Sequence, residues 1–313
     1  MRLALLIFGA LAVLVAALFL RDTAATRARL AGASVVIDTN AGPIEVAREG
    51  DGFAVLVLHG AGGGHDQGML LARAMIGPGF HVIAPSRFGY LRSPLPADPS
   101  AAAQADALDA LLDELGVDHV GVVAMSGGAP PALQFASRHP ERVNAMVLLS
   151  AAPFSPFTAE AQELPVPIFV YNALFASDFP YWLIRRVARP AIAPMFDARD
   201  DLLRRATQEE REFAQAMMAA FEPVTARAAG LRNEGAAIDP AARYDLASIT
   251  APTLVVHAAD DALNPLAVSE RIDGSIPSAD LIVLEDGGHL LLGHHSALRE
   301  RIARFLRDGG RAS

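Results

Sequence analysis

The chain has 313 residues, a formal net charge of −9 and no cysteine, and 52% of its residues are hydrophobic. This length and composition allow one large domain with an insertion, or two modest domains. The basic residues are all arginine and form no basic stripe. A nucleic-acid partner is therefore excluded, because phosphate contacts dominate that affinity. The lack of cysteine excludes disulfides, thiolate metal sites and cysteine nucleophiles.

An apolar stretch opens the chain. Residues 3–20 form a run of 18 apolar residues between Arg2 and Arg21, which is long enough to cross a bilayer as a helix. The run exceeds a typical signal-peptide core and no A-x-A cleavage site follows it, so we expect an uncleaved anchor rather than a cleaved signal peptide. Residues 21–33 are predicted to be a tether. More arginines follow the span than precede it, which favours a cytoplasmic body, whereas the short N-terminal tail favours export. The side of the membrane stays open.

The chain after residue 33 alternates between strand and helix patterns. A β-hairpin and six further short apolar strands are predicted at 34–39, 43–48, 53–59, 80–84, 120–125, 143–150, 253–257 and 281–284. Helical periodicity is found at 100–115, 127–139 and about 296–306. Short apolar strands that alternate with amphipathic helices predict an α/β fold with a mostly parallel sheet and helices on both faces.

The alternation stops between residues 153 and 245. This part has helical character and no strand signal, and Thr207 to Glu210 form a capping box that opens a helix. We therefore expect a helical cap, or lid, inserted over one end of the sheet. The predicted organisation is an anchor and tether at 1–33, a core in two parts at 34–152 and 246–313, and the cap at 153–245.

A serine ends the predicted strand 120–125. Ser126 would lie at the carboxyl edge of the sheet, where α/β proteins place their ligands. A tight turn from strand to helix at a nucleophile requires small residues two positions to either side, and Ala124 and Gly128 are both small. The stretch A-M-S-G-G departs from the usual G-x-S-x-G by one methyl group. The pattern predicts that Ser126 is a nucleophile.

A serine hydroxyl needs a base, and the base needs a carboxylate to orient it. Asp260 and Asp261 follow the predicted strand 253–257, and His289 lies in a glycine-rich loop after the last predicted strand. His289 is the candidate base, and either aspartate is a candidate acid. The order Ser, Asp, His along the chain is that of the α/β-hydrolases.

A glycine-rich loop provides the candidate site for negative charge. H-G-A-G-G-G, at residues 59–64, follows a predicted buried strand, and its backbone can closely approach a substrate. The N–H groups of Ala61 and Gly127 are the candidate oxyanion-hole donors. This chemistry requires no cofactor and no metal. His65 and Asp66 follow the loop and are interpreted either as pocket lining or, for Asp66, as a helix N-cap.

From residue 34 to its C-terminus the chain resembles an α/β-hydrolase-fold serine hydrolase with a cap insertion. The resemblance rests on motifs that occur in the family's order: the H-G loop, P-S-R-F-G-Y-L-R-S, the serine turn, R-H-P-E-R-V, D-A-L-N-P and D-G-G-H. In that family the acid usually precedes a proline by four residues, which implies Asp261 rather than Asp260. The family often has an aspartate at the position of Ser86, so the role of that loop stays open.

The expected function is acyl transfer to water on a small, apolar, ester-like substrate. A carbon–carbon bond hydrolase or a cofactor-free peroxidase would use the same fold and a serine, and a non-catalytic, membrane-tethered binding module is the alternative from another class. Residues 164–175, with Tyr181 and Trp182, predict an apolar surface. Packing against the sheet is the default interpretation of that surface, and a substrate wall or a membrane-facing surface are the alternatives.

Overall fold

The structure, a computed structural model, describes residues 1–152, 154, 176–236 and 243–309. These residues form one eight-stranded sheet with the strand order β1-β2-β4-β3-β5-β6-β7-β8. The strands are β1 (Val35–Thr39), β2 (Gly42–Glu49), β3 (Phe53–Leu58), β4 (Phe80–Pro85), β5 (Val120–Met125), β6 (Val143–Leu149), β7 (Thr253–Ala258) and β8 (Ala279–Leu284). Strand β2 pairs antiparallel with β1 and with β4, and the other pairs are parallel. The predicted mostly parallel sheet is confirmed.

Helices cover both faces of this sheet. The helices are α1 (Arg2–Gly32), α2 (His65–Met75), α3 (Ala101–Glu114), α4 (Ala129–Arg138), α5 (Asp178–Val187), α6 (Asp200–Arg205), α7 (Gln208–Ala219), α8 (Ala228–Ala236), α9 (Leu266–Asp273) and α10 (His295–Arg307). Alternate residues of β3 enter opposite cores, because side chains alternate along a strand. Val55 and Val57 pack with α2 and α10, while Leu56 and Leu58 pack with α3 and α4.

Two helices begin directly after a residue whose side chain caps the helix N-terminus. Ser100 precedes α3 and accepts a hydrogen bond from Ala103 N at 3.1 Å. Thr207 precedes α7 and forms the expected capping box, in which Glu210 N donates to its hydroxyl and Thr207 N donates to the Glu210 carboxylate. Helices α2 and α9 lack such a side-chain cap, and neither was among the helices predicted from periodicity.

The N-terminal helix is longer than the apolar run. Residues 21–32, which were predicted to be a tether, continue α1 to Gly32, because alanine, arginine and leucine favour helix and no glycine or proline interrupts them before residue 32. An 18-residue window of α1 has a mean hydropathy of 3.0, and none of its residues is buried. By length and composition α1 is able to cross a membrane.

Helices α5 to α8 lie between β6 and β7. In this inserted segment, defined here as the described residues 176–236, no strand is present. Residues 164–175 of the predicted apolar surface lie outside the described part of the chain. The assignment of residues 153–245 as a cap stays a prediction.

Candidate active site

Ser126 occupies a sharp turn directly after β5. Its backbone has φ of +51°, in the left-handed region that non-glycine residues rarely adopt. A Cβ on residue 128 would lie 2.6 Å from Leu58 O, so only glycine fits there. Ala124 is fully buried within the sheet. The methyl group that departs from the usual pattern therefore lies in the core and leaves the turn open.

An aspartate and a histidine meet at the same edge of the sheet. Asp261 follows the carboxyl end of β7, and its Oδ2 lies 2.9 Å from His289 Nδ1. Asp260 has other partners: its Oδ1 accepts a hydrogen bond from Gly288 N at 2.8 Å, and its Oδ2 pairs with Arg199. The aspartate that contacts His289 is thus Asp261.

The surroundings of Asp261 favour its ionised form. Burial acts against the charge, but the charge of His289, its hydrogen bond and two backbone N–H donors together lower the pKa of Asp261. The two donors are Leu263 N at 2.8 Å and Asn264 N at 3.0 Å, both to Oδ1. Asp261 is therefore held as a carboxylate that faces one imidazole nitrogen.

A second histidine also lies near Asp261. His257 is fully buried, and burial lowers its pKa, which favours the neutral form. Its Nδ1 lies 2.8 Å from the Ser269 hydroxyl and its Nε2 lies 3.1 Å from Asn264 O. Because a carbonyl only accepts, Nε2 carries the proton and Nδ1 accepts from the hydroxyl. His257 thus supports the acid loop, and in its neutral form it does not compete with His289 for the charge of Asp261.

The pKa of His289 is shifted in the opposite direction to that of His257. Burial acts to lower its pKa, but the charge of Asp261, the Nδ1 hydrogen bond and the charge of Asp197 outweigh burial, and the pKa of His289 is raised. A histidine with a raised pKa and a fixed Nδ1–H binds a proton readily at Nε2.

Asn264 connects the acid loop to the serine. Its Nδ2 lies 3.4 Å from Ser126 Oγ and donates to Ser150 O at 2.8 Å. The Ser150 hydroxyl in turn donates to His289 O at 2.9 Å. Within the described residues no hydrogen bond joins Ser126 Oγ directly to His289, and in unliganded sites such contacts are often long. Asn264 and Ser150 thus tie the serine turn to the histidine loop.

The glycine-rich loop after β3 adjoins the serine turn. A Cβ on Gly127 would lie 3.2 Å from Ala61 N, so the two candidate donor residues are neighbours. Gly127 lies in the first turn of a 3₁₀ helix, where N–H groups lack intrahelical partners. Gly62 has φ of +71° and lies directly beneath the ring of Phe221 from the inserted segment. The loop is therefore covered by an aromatic side chain.

A buried ion pair lies beside the same loop. Arg87, which is 5% exposed, donates to Gly60 O at 3.2 Å and pairs with Glu234 of helix α8. Among the described residues Glu234 Oε2 is buried without a hydrogen-bond partner, and both carboxylate oxygens approach the Cβ position of Gly127 within 3.3 Å. A carboxylate at this position electrostatically opposes a second negative charge.

The inserted segment also contacts both the acid loop and the histidine loop. The Asp197 side chain is 1% exposed, and its Oδ2 accepts hydrogen bonds from Ala262 N at 3.1 Å and His289 N at 2.9 Å. Burial raises the pKa of Asp197. One carboxylate therefore holds two loops that are far apart in sequence.

His65, Asp66 and Ser86 have structural partners. The Ser86 hydroxyl donates to Glu45 at 2.8 Å and accepts from His65 N at 3.0 Å. Glu45 supplies a negative charge near Ser86, where the family often has an aspartate. Asp66 is not a helix N-cap, as α2 begins at His65 after Gly64. Asp66 instead forms a buried ion pair with Arg227 at 2.9 Å, since a buried arginine requires a counter-charge.

The described residues contain no group of three or more His, Cys, Asp or Glu side chains placed to hold a metal ion.

Comparison with known proteins defines the class of the protein. Residues 54–295 match the family described as alpha/beta hydrolase fold, and the chain belongs to this family. The protein is thus a hydrolase of the α/β fold.

Particular relatives resemble most of the chain. It is 29% identical over 280 residues to the uncharacterized hydrolase YcgS of Bacillus subtilis (strain 168), covering 83% of this chain and 93% of that protein. It is 29% identical over 266 residues to the 2-hydroxymuconate semialdehyde hydrolase of Pseudomonas putida, covering 83% and 88%. An alpha/beta hydrolase fold protein from Nakamurella multipartita superposes with a TM-score of 0.75 at 26% identity, covering 88% and 100%.

Four residues with contacts in this site were not predicted from sequence: Arg87, Asp197, Glu234 and Asn264. Asn264 lies inside the D-A-L-N-P motif, so its position next to the candidate acid is a signal that was available. Arg87 lies inside the P-S-R-F-G-Y-L-R-S motif, but no local pattern pairs it with Glu234, which is 147 residues away in the chain. Asp197 and Glu234 lie in no such motif and have partners more than 60 residues away, so the sequence alone contains no comparable signal for them.

Proposed function

We propose that the protein cleaves an ester-like bond of a small apolar substrate with a Ser126–His289–Asp261 triad, through an acyl-enzyme. The observation that carries the proposal is the 2.9 Å contact between Asp261 Oδ2 and His289 Nδ1, beside a serine held in a strained turn. A nucleophile, a base and an orienting carboxylate are the groups that acyl transfer requires.

In the proposed first half-reaction Ser126 Oγ attacks the substrate carbonyl while His289 Nε2 takes the hydroxyl proton. Asp261 stabilises the resulting imidazolium, and the N–H groups of Ala61 and Gly127 donate to the oxyanion. When the tetrahedral intermediate collapses, its bond to the leaving oxygen breaks and His289 returns the proton to that oxygen. The alcohol leaves and the acyl group stays on Ser126.

In the second half-reaction water replaces the alcohol. His289 takes a proton from water, the hydroxide adds to the acyl carbonyl, and the bond to Ser126 Oγ breaks with return of the proton to the serine.

The Glu234 carboxylate lies beside the Gly127 position, so oxyanion formation requires it to move away or take up a proton. We propose that the inserted segment, which carries Glu234 and Phe221, is the cap of this site.

A carbon–carbon bond hydrolase is the second candidate. The observation that favours it is the similarity to the 2-hydroxymuconate semialdehyde hydrolase of Pseudomonas putida. The same serine, histidine and oxyanion donors would serve a carbon leaving group. A cofactor-free peroxidase is a further alternative on the same fold.

A hydrolysis screen separates these candidates. Full-length protein is incubated with p-nitrophenyl esters of increasing acyl length, with vinylogous 1,5-diketone substrates, and with peroxide plus a halide indicator. We expect ester hydrolysis that is fastest for short apolar acyl groups and absent in Ser126→Ala. Diketone cleavage without ester hydrolysis would favour the carbon–carbon reaction. If the wild-type protein shows none of the three activities in a Ser126-dependent form, a non-catalytic binding module is favoured.

We also propose that residues 3–20 anchor the protein in a membrane. The support is the apolar run of α1, none of which is buried, together with the contacts of α1 to the body, in which Asp22 pairs with Arg186 and Arg27 pairs with Asp178. A cleaved signal sequence is the alternative. Intact-mass measurement of the protein from membranes distinguishes the two: an anchor leaves the full-length mass, whereas signal cleavage removes the N-terminal residues.

A further inference from the structure

The end of the apolar run is in contact with the inserted segment. Phe19, two residues before Arg21, packs edge-on against Phe179 and Trp182 of α5, with ring centroids 5.3 Å apart in both pairs. Edge-to-face packing of this kind is a favourable aromatic geometry. Helix α5 therefore touches α1 at the last turn of its apolar run.

Polar contacts fix this crossing just beyond the apolar run. Asp22 Oδ2 accepts hydrogen bonds from Trp182 Nε1 at 3.1 Å and from Arg186 Nε at 2.9 Å. Five residues further along α1, Arg27 donates to Asp178 at 3.1 Å. The aromatic contacts lie on the apolar side of the crossing and the ion pairs on the polar side. This division matches the polarity change at a membrane surface.

The depth of α5 relative to a lipid bilayer follows from the geometry of α1. A helix rises 1.5 Å per residue, so 18 residues span about 27 Å, close to the hydrocarbon thickness of a bilayer. If residues 3–20 fill that thickness, Phe19 lies at the boundary between acyl chains and headgroups. Side chains in contact with Phe19 then lie at the same level, where tryptophan is favoured.

Helix α5 is also connected to the candidate active site. The ring centroid of Tyr181 lies 5.4 Å from that of Phe221, and its hydroxyl donates to Met218 O at 2.8 Å. Phe221 in turn lies over Gly62 in the glycine-rich loop. Packed aromatic side chains therefore join the end of the membrane helix to the cover of the candidate site.

We infer that helix α5 lies in the membrane–water interface, so that a lipid bilayer is the partner of the surface formed by Phe179 and the last turn of the apolar run, with Trp182 buried directly beneath that surface. This inference rests on the proposed membrane anchor. Phe179 remains 37% exposed beside Phe19, which leaves apolar area for contact with lipid. The inserted segment would then face the bilayer.

The chain contains one tryptophan, Trp182, and its fluorescence provides a direct test. Full-length protein is reconstituted into vesicles of phosphatidylcholine and phosphatidylglycerol that carry nitroxide-labelled lipids, with the label either near the headgroup or deep in the acyl chain. The matched control is the double variant Trp182→Phe, Val283→Trp. Val283 is 48% exposed on β8, the edge strand farthest from β1 in the sheet.

The inference predicts a large loss of Trp182 emission with the shallow label, a smaller loss with the deep label, and little change in the control protein. Flotation of the vesicles tests the anchor separately. Protein that floats while Trp182 responds no more than the control would overturn the inference and leave the anchor standing. Protein that does not float would overturn the anchor, and the interfacial position of α5 with it.

Discussion

The serine turn and the acid and histidine loops are held in place by different means. The geometry at Ser126 comes from the backbone. Ser126 follows the end of a strand and has a strained conformation, and the neighbouring strand β3 leaves no space for a side chain at Gly128. Asp261 and His289 instead depend on Asp197 of the inserted segment, which bonds both loops. The first region is thus set by backbone sterics where β3 and β5 end, and the second by side-chain hydrogen bonds from the inserted segment.

Ser126→Ala removes the proposed nucleophile and should have the largest effect. We expect kcat to fall roughly 10⁶-fold, since the other triad members act only through the serine. Steady-state hydrolysis of a short p-nitrophenyl ester measures this loss. Ser137→Ala on α4 is the control and should retain full activity, and an equal loss in both variants would contradict the assigned nucleophile.

Asp261→Asn keeps the shape of the acid loop but removes the carboxylate that orients His289. We expect kcat to fall by about 10⁴, because an amide favours the wrong imidazole tautomer. The matched control is Asp260→Asn, whose side chain contacts Gly288 and Arg199 rather than the imidazole. A larger loss in Asp260→Asn than in Asp261→Asn would show that the acid has been assigned to the wrong residue.

Asp197→Asn tests the second region through a positioning residue. Misplacement of the histidine loop should lower kcat/KM by roughly 10- to 100-fold. The charge of Asp197 also helps to raise the pKa of His289. Its removal should lower that pKa, so neutral His289 persists to lower pH and the acid limb of kcat/KM against pH moves down.

The control for this variant is Asp201→Asn, an exposed position on the same segment. It should change neither the rate nor the pH profile. If Asp197→Asn lowers the rate and leaves the acid limb where it was, Asp197 has only a structural role.

Gly128→Ala tests the first region. A Cβ there would lie 2.6 Å from Leu58 O and 2.9 Å from His59 O, so we expect a loss of about 1–3 kcal/mol in the free energy of unfolding. Ala124→Gly, which restores the usual G-x-S-x-G, should cost about 1 kcal/mol or less and retain activity. Thermal melts of both proteins, followed by circular dichroism, measure the difference. A stable, active Gly128→Ala would contradict the steric account of the turn.

Much of the fold could be predicted from sequence because its elements carry local signals. Buried strands read as short apolar runs, and Ser100 and Thr207 mark helix starts that the structure contains. The continuation of α1 through residues 21–32 was not predicted, because charged residues after an apolar run suggest a linker, although their helix propensity is high.

The candidate site could be predicted only in part. The serine, the glycine-rich loop and the histidine follow predicted strands, and parallel strands bring their carboxyl ends to one edge. The contacts of Arg87, Asp197 and Glu234 could not be predicted from the sequence, because each contact joins segments that meet only in the folded chain. The choice between Asp260 and Asp261 came from the family resemblance, through the proline four residues after Asp261, and not from the local pattern. These residues are adjacent and alike in sequence, yet only the side chain of Asp261 reaches His289.

Covalent labelling tests the central claim most directly. Full-length protein is treated with a fluorophosphonate and digested, and the modified peptide is located by mass spectrometry. A Ser126–His289–Asp261 triad predicts stoichiometric modification of Ser126, sharply slower modification in His289→Ala, and none in Ser126→Ala. Modification at another residue, or labelling that persists in Ser126→Ala, would contradict it.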